Sequence, residues 1–123
     1  MAFTYPNNEK LKSKNTIDAL FSQGKSVTKY PLRLVYTPES FADGATIKMG
    51  VSVSKKYFKK AVDRNYFKRL LRESYRLNKE ILANTDKPYA FMLLYQSKDR
   101  LDFAQVNAKT QLLFEKFLAE IKK

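Results

Sequence analysis

The sequence predicts an α+β fold, a sandwich of about three helices on a small mixed sheet of about four strands, in the order α-β-β-β-α-β-α. Three observations lead to this class. Apolar residues recur at helical spacings near residues 17–21, 66–77 and 103–121. Residues 32–37 and 47–54 alternate in character, as strands with one buried face do. Residues 89–95 are apolar at every position, which is typical of a strand buried on both faces.

The first helix is predicted to begin at Ser13 or Asn15, because both residue types are good N-terminal caps. Its apolar side is formed by Ile17, Leu20 and Phe21. Gly24 stands where helices commonly end on a glycine.

Strands are predicted next, the first of them short and near residues 26–29. A second strand follows Tyr30 and Pro31 over residues 32–37. The segment T-P-E-S-F-A-D-G-A at 37–45 is rich in turn-forming residues, so it predicts an antiparallel hairpin to a third strand over 47–54. One face of that hairpin is apolar and the other is polar and basic.

The chain after the central helix predicts a loop over 84–88, the buried strand over 89–95 and a closing helix. The closing helix is predicted to begin at Asp102, where Gln105 completes a capping-box-like arrangement, and its apolar residues recur at helical spacing to Ile121. Because no internal repeat or linker-like stretch is present, a single domain over 1–123 is predicted.

The composition predicts a polyanionic partner, since 24 Lys and Arg against 12 Asp and Glu give a net charge of +12. His and Cys are absent, which removes the commonest general base, a thiolate nucleophile and the usual zinc ligands. We therefore expect no cofactor or metal held by the protein. No apolar run approaches the roughly 20 residues of a membrane span, and no signal-like segment is seen, so a cytosolic protein is predicted.

The central helix separates into two sides when residues 64–78 are placed at about 100° per residue. One arc of about 140° holds Arg64, Asn65, Lys68, Arg69, Arg72, Tyr75 and Arg76. The opposite arc holds Tyr66, Phe67, Leu70, Leu71, Ser74, Leu77 and Asn78. The second arc is wide enough to pack on the sheet, so the cations are predicted to face outward.

The charge of this region is nearly all of one sign. Residues 55–79 contain ten Lys and Arg and two acids, Asp63 and Glu73, for a net charge of +8. A face of mixed sign would be interpreted as an ordinary solvated surface. Because arginine binds phosphate in a planar, bidentate manner, this face predicts contact with RNA or DNA.

Two motifs in the same region, S-V-S-K-K at 52–56 and K-A-V-D-R-N-Y-F-K-R-L-L-R-E at 60–73, resemble the arginine-asparagine-arginine signature of the bacterial ribonuclease P protein component. The early helix ending in F-S-Q-G and the order of elements are also similar, so the resemblance spans nearly the whole chain. It implies a cytoplasmic bacterial subunit that binds a catalytic RNA and precursor tRNA and assists removal of the 5′ leader. The RNA and its Mg²⁺ ions would perform the hydrolysis, and no catalytic residue is assigned to the protein. The resemblance also implies a left-handed crossover, which general rules disfavour. We expect a monomer in the absence of RNA.

The resemblance implies two sets of site residues. Contacts with the catalytic RNA fall on Lys55, Lys56, Lys59, Lys60, Arg64, Asn65, Lys68, Arg69, Arg72 and Arg76, with Glu73 organising neighbouring arginines. A leader-binding cleft between the first helix and the sheet falls on Ile17, Phe21, Tyr36, Lys48 and Ser52. Phe21 and Tyr36 also fit an ordinary core, and for Phe21 the two interpretations stand equal.

The sequence departs from the family pattern at two places. Tyr66 stands where the signature usually has its second arginine, which removes one expected phosphate contact. The segment K-K-Y-F-K-K-A-V at 55–62 is one residue longer than the common pattern and lacks its glycine, so the local turn and the roles of Lys59 and Lys60 stay open.

Other function classes fit parts of the sequence. A generic basic RNA-binding or ribosomal-type protein would share the basic helix but would not assist leader removal. A DNA-binding helix-turn-helix protein needs a nearby partner helix, whereas a loop and a strand follow here. A membrane-surface module needs the apolar side of the helix to be free. An autonomous nuclease would cleave RNA without an RNA partner.

Overall fold

A computed structural model describes residues 10–12, 14–83, 85 and 87–122. Its elements in chain order are α1 (Lys14–Gln23), β1 (Lys25–Lys29), β2 (Leu32–Pro38), β3 (Ile47–Val53), α2 (Ala61–Asn78), a 3₁₀ turn (Lys79–Leu82), β4 (Tyr89–Tyr95) and α3 (Phe103–Ile121). The predicted α+β class and order of elements are confirmed. The predicted cap Ser13 and two residues of the predicted loop, Asn84 and Asp86, lie outside the described residues.

The four strands form one mixed sheet in the order β1-β2-β4-β3. β2 pairs with β1 and β4 in antiparallel fashion, while β3 and β4 are parallel. The predicted antiparallel hairpin between β2 and β3 is therefore wrong, because β4 lies between them. All seven residues of β4 are buried, which suits a central position in the sheet. The alternation in β2 and β3 identified the apolar face of each strand, but it did not indicate which strand pairs with which. The handedness of the crossover through α2 stays a prediction.

The two faces of the sheet carry separate cores. On one face α2 and α3 pack through fully buried aromatic and aliphatic residues such as Phe67, Leu71 and Phe114, which form one core cluster with Phe91 of β4. The other face carries a smaller core around α1, formed by Leu11, Leu20, Val35, Ala90, Met92 and Leu94. A single short helix covers this second face, so much of its surface is left for grooves.

The buried side of α2 is wider than the sequence predicted, because α3 packs on it as well as the sheet. Tyr75, which the helical wheel placed among the cations, is 1% exposed and meets Phe114 edge to face. Ser74 and Thr110 share a buried hydrogen bond of 3.0 Å, and Asn78 donates to Asn107 at 2.7 Å. These contacts fix the rotation of α2 about its axis, and that rotation decides which of its cations face outward.

The end of α1 approaches the sheet too closely for a side chain. The Gly24 N–H donates to the Leu20 carbonyl at 3.0 Å. A Cβ on Gly24 would lie 2.4 Å from that carbonyl oxygen and 2.8 Å from Cγ1 of Val35 on β2. The predicted helix-ending glycine is thus needed for close packing, because it allows the end of α1 to lie against the face of the sheet that carries the grooves.

Candidate nucleic-acid interface

The turn before α2 is built to present lysines. The Ser54 carbonyl accepts hydrogen bonds from the Tyr57 and Phe58 N–H groups at 3.1 and 3.2 Å, and the Ser54 hydroxyl accepts from Lys56 N–H at 3.0 Å. Phe58 is buried and stacks on Phe67 of α2, with 4.5 Å between ring centroids. The apolar stack anchors the turn, and four exposed lysines project from it: Lys55, Lys56, Lys59 and Lys60.

The outward side of α2 continues this positive surface. Arg69 and Arg72 are exposed, and Lys68 and Arg76 are half-buried. We call the cationic face the set Lys55, Lys56, Lys59, Lys60, Lys68, Arg69, Arg72 and Arg76. Asn65 is exposed on the same side. The structure thus brings most of the predicted RNA-contact residues onto one continuous surface made by the turn and the helix.

Arg64 does not belong to this free surface. Its guanidinium donates two hydrogen bonds, to the Phe58 carbonyl at 3.0 Å and to the Lys59 carbonyl at 2.7 Å. Arg64 lies on the first turn of α2, so its side chain reaches the carbonyl groups of the turn that precedes the helix. The predicted outward cation is instead an anchor that ties the lysine-bearing turn to the helix.

The remaining cations of α2 differ in how they are held. Arg76 forms an ion pair of 2.7 Å with Glu73, in agreement with the predicted organising role of that carboxylate. Lys68, Arg69 and Arg72 make no hydrogen bond or ion pair with any described residue. Their charges are therefore available to an anion from outside the chain.

A groove runs beside the C-terminal half of α1 on the open face of the sheet. It measures about 320 Å³ and is lined by Leu20, Phe21, Gly24, Arg33, Val35, Ser52, Leu94 and Gln96. Phe21 and Ser52 of the predicted cleft line it, and Phe21 is 57% exposed. Between the two interpretations of Phe21, this exposure favours a surface role over an ordinary core role.

A second groove of about 530 Å³ lies between α1 and the β3 edge of the sheet. Ile17 lines it, together with Lys10, Lys12, Gly50 and Arg72. The segment at residues 10–12 reaches this place by pairing with β3, where the Leu11 N–H donates to the Met49 carbonyl at 3.0 Å. Arg72 thus belongs both to the cationic face and to the lining of a groove beside α1.

Two predicted cleft residues lie elsewhere. Tyr36 is 6% exposed on the opposite face of the sheet, where its ring meets Phe117 edge to face at 4.7 Å between centroids. Its position in β2 has the same parity as Leu32 and Leu34, so it points into the larger core. Lys48 lies on β3 and forms an ion pair of 2.7 Å with Asp43. It lines a third groove, of about 550 Å³, together with Lys10, Lys12 and Thr16 of α1. Of these two predicted residues, Lys48 therefore lies in a groove beside α1 and Tyr36 does not.

Sequence reasoning missed several groove residues, namely Arg33, Gln96, Lys10 and Lys12. Arg33 was within reach of the sequence, because strand alternation places it on the face opposite Leu32 and Leu34. Lys10 and Lys12 were not, because no pattern in the sequence indicates that residues 10–12 run along the edge of β3. Arg33 makes the first groove more basic than predicted, and Lys10 and Lys12 do the same for the second.

The pKa values of Asp43, Tyr36 and Tyr95 are shifted from their ordinary values. The hydrogen bond from Lys48 and the Ala45 N–H lower the pKa of the Asp43 carboxyl. Burial raises the pKa of Tyr36, and the Glu120 carboxylate adds to the increase. Burial also raises the pKa of Tyr95. None of these three residues belongs to the cationic face, so their shifted pKa values do not point to acid–base chemistry there.

The described residues offer neither an acidic cluster for a metal ion nor a helix suited to a membrane. In the part of the chain that the structure describes, no three acidic side chains come close enough together to hold a metal ion. None of the helices traced over those residues has the length and apolar character that crossing a bilayer requires.

Comparison with known proteins identifies similar sequences. The family model described as Ribonuclease P matches residues 5–118. A ribonuclease P protein component of Porphyromonas gingivalis is 46% identical over 80 residues, which cover 65% of this chain and 58% of the relative. One from Chlorobaculum tepidum is 40% identical over 81 residues, covering 63% of this chain and 53% of the relative. The aligned part of the chain thus spans somewhat more than half the length of these curated relatives.

Solved structures show the same fold. The ribonuclease P protein from Thermotoga maritima superposes with a TM-score of 0.70 at 26% identity, covering 87% of this chain and 96% of that one. The ribonuclease P protein of Staphylococcus aureus superposes with a TM-score of 0.71 at 18% identity, covering 89% and 94% of the two chains. The second likeness concerns the fold alone.

Proposed function

The chain belongs to the ribonuclease P protein family, and on this premise we propose that it is the protein subunit of a ribonuclease P ribonucleoprotein. The cationic face binds the catalytic RNA, and the grooves beside α1 bind the 5′ leader of precursor tRNA. The assembly removes the leader to give the mature 5′ end in the bacterial cytoplasm. Hydrolysis takes place on the RNA subunit with its Mg²⁺ ions, and the protein acts as an accessory subunit.

One observation carries this proposal, namely that the cationic face and the groove between α1 and β3 share Arg72. Lys10 and Lys12 line the same groove. A strand of RNA leaving the groove therefore meets positive charge at its rim and arrives at the surface that binds the large RNA. Such an arrangement suits a protein that holds two RNA segments in fixed relation.

The binding of the catalytic RNA is expected to be chiefly electrostatic. Lysine and arginine side chains that neutralise phosphates release counterions, so affinity falls as salt rises. If the cationic face meets about four to six phosphates, the slope of log affinity against log salt is roughly −3 to −5. Asn65 adds a donor and an acceptor beside the cations, which suits a contact with a backbone oxygen or a base edge.

The binding of the leader is expected to depend little on its sequence. Phe21 presents an exposed ring beside the hydroxyl of Ser52 and the guanidinium of Arg33. An aromatic ring can stack on any base, and a nearby cation attracts the phosphate backbone. The side chains in this groove thus support recognition of a single strand by its bases and backbone together.

Catalysis is placed on the RNA because of what the chain offers. It has no His and no Cys, which are the commonest general base and the most nucleophilic side chain. The two serines nearest the interface, Ser52 and Ser54, have no imidazole to activate them.

The test is processing of precursor tRNA by the cognate RNA subunit at low Mg²⁺, with and without the full chain. We expect faster leader removal when the protein is present and no cleavage by the protein with Mg²⁺ alone. Binding without any gain in processing would assign the chain to the generic RNA-binding proteins and contradict the proposal.

A further inference from the structure

An exposed apolar patch lies beside the cationic face on α2. Tyr66 is 45% exposed and Val62, one turn earlier on α2, is 70% exposed. Asn65 and Arg69, which flank Tyr66 on the outward side of the helix, are exposed too. We call Val62 and Tyr66 the apolar patch. Along the chain it lies between the lysine-bearing turn and the arginines of α2. Apolar side chains do not bind phosphate, so this patch needs another explanation.

The ring of Tyr66 is held in place from below. It meets Phe67 edge to face, with 5.1 Å between the centroids and 85° between the planes. Phe67 is fully buried and stacks in turn on Phe58, so the core packs around it on the side away from Tyr66. An aromatic ring that is fixed on one side and open to solvent on the other is already arranged to receive a flat partner.

Two arginines lie near the Tyr66–Phe67 pair. Arg69 lies one helical turn further along, at the spacing that places Cβ atoms about 5–6 Å apart. Arg100 lies over the same Phe67 ring at 5.2 Å from its centroid and forms an ion pair of 3.4 Å with Asp63. A base stacked on Tyr66 would therefore have its phosphates close to guanidinium groups.

We propose that Tyr66, supported by Val62, is a stacking platform for an unpaired base of the catalytic RNA. This inference rests on the proposed function, since it names a contact made within the same surface. A second copy of the chain is a poorer occupant of the patch, because residues 55–79 carry a net charge of +8 and two such faces would repel. An RNA strand supplies both the flat apolar group and the negative charge that the surroundings of the ring require.

Stacking and phosphate contacts can be told apart by salt. A phosphate contact changes the slope of log affinity against log salt, whereas a stacked base contributes an amount that changes little with salt. Loss of one stacked base is expected to lower affinity roughly 5- to 150-fold. The Tyr66 contribution should thus appear as a vertical shift of the salt plot with its slope unchanged.

The experiment is a titration of the cognate RNA subunit with the full chain over a series of monovalent salt concentrations. Tyr66→Ala and Tyr66→Leu should both lose affinity by a constant factor at every salt concentration, while Tyr66→Phe should keep wild-type affinity. Leu77→Ala is the matched control, because Leu77 is 37% exposed on the last turn of the same helix and outside the patch. Circular dichroism of each variant establishes that α2 is folded.

Arg69→Ala, measured in the same titration, separates the two proposals. If Arg69→Ala flattens the slope and Tyr66→Ala has no effect, the stacking platform is overturned while the cationic face stands. If neither variant changes binding, the proposed RNA surface fails as a whole. If Tyr66→Ala leaves RNA affinity unchanged but abolishes self-association in sedimentation, the patch binds a second copy of the chain and the inference is wrong.

Discussion

Replacement of Arg64 by alanine separates the structural cations of this protein from the RNA-binding ones. Arg64 donates two hydrogen bonds to the carbonyl groups of Phe58 and Lys59 at 3.0 and 2.7 Å. Arg69, five residues later on the same helix, is exposed and has no partner among the described residues. The two substitutions remove the same side chain and the same charge, so any difference between them reports the role of the anchor.

The magnitude follows from the two hydrogen bonds. A hydrogen bond that involves a charged group contributes about 1.5–3 kcal/mol when well shielded, and Arg64 is only half-buried. We therefore expect Arg64→Ala to lower the free energy of unfolding by about 2–3 kcal/mol. An exposed cation without partners contributes little, so Arg69→Ala should change the free energy of unfolding by no more than about 0.5 kcal/mol.

Urea denaturation followed by circular dichroism measures both values. A second measurement, the salt dependence of RNA affinity, should show the reverse order, with Arg69→Ala flattening the slope by roughly one unit. Arg64→Ala should weaken binding by loosening the lysine-bearing turn. The reasoning would be refuted by an Arg64→Ala variant that is as stable as the wild type and flattens the salt slope as Arg69→Ala does.

Two further outcomes are expected from the structure. Gly24→Ala should destabilise the protein by about 1–3 kcal/mol in urea, because the new Cβ would lie 2.4 Å from the Leu20 carbonyl oxygen, and full stability would show that α1 can move off the sheet. The Asp43 carboxyl should titrate below the ordinary value of about 3.9 in NMR, and its midpoint should rise in Lys48→Ala. Because the folded-state pKa of Asp43 is the lower one, its contribution to stability is present above the unfolded pKa and is lost as pH falls through the folded pKa. An unchanged midpoint in Lys48→Ala would contradict this assignment.

The sequence predicted the elements well, because each has a periodic apolar pattern of its own. The continuous apolar run of β4 and the capping box at Asp102 and Gln105 both appear in the structure as expected. Strand order was not accessible in the same way. Alternation in β2 and β3 shows which residues face a core, but it carries no information on whether β4 is inserted between those strands.

The candidate site was predicted less completely, for reasons that concern packing. Tyr75 and Arg64 were placed among the outward cations because a helical wheel considers one buried direction, whereas α2 packs against the sheet, α3 and its own preceding turn. Tyr36 shows a different conflict, since its strand parity assigns it to the core with Leu34 while the family resemblance assigned it to the leader cleft. The structure agrees with the parity.

The most direct test of this account is the salt dependence of the affinity between the full chain and the cognate RNA subunit, measured for the wild type and for a variant in which Lys68, Arg69 and Arg72 are all alanine. Loss of three phosphate contacts should flatten the slope of log affinity against log salt by roughly two to three units, with the fold retained in circular dichroism. The Lys25→Ala control, which removes one exposed cation from β1 at the edge of the sheet far from β3, should keep the wild-type slope. A slope that is the same in the triple variant and the wild type would show that RNA binds elsewhere, and the outward side of α2 would no longer be its interface.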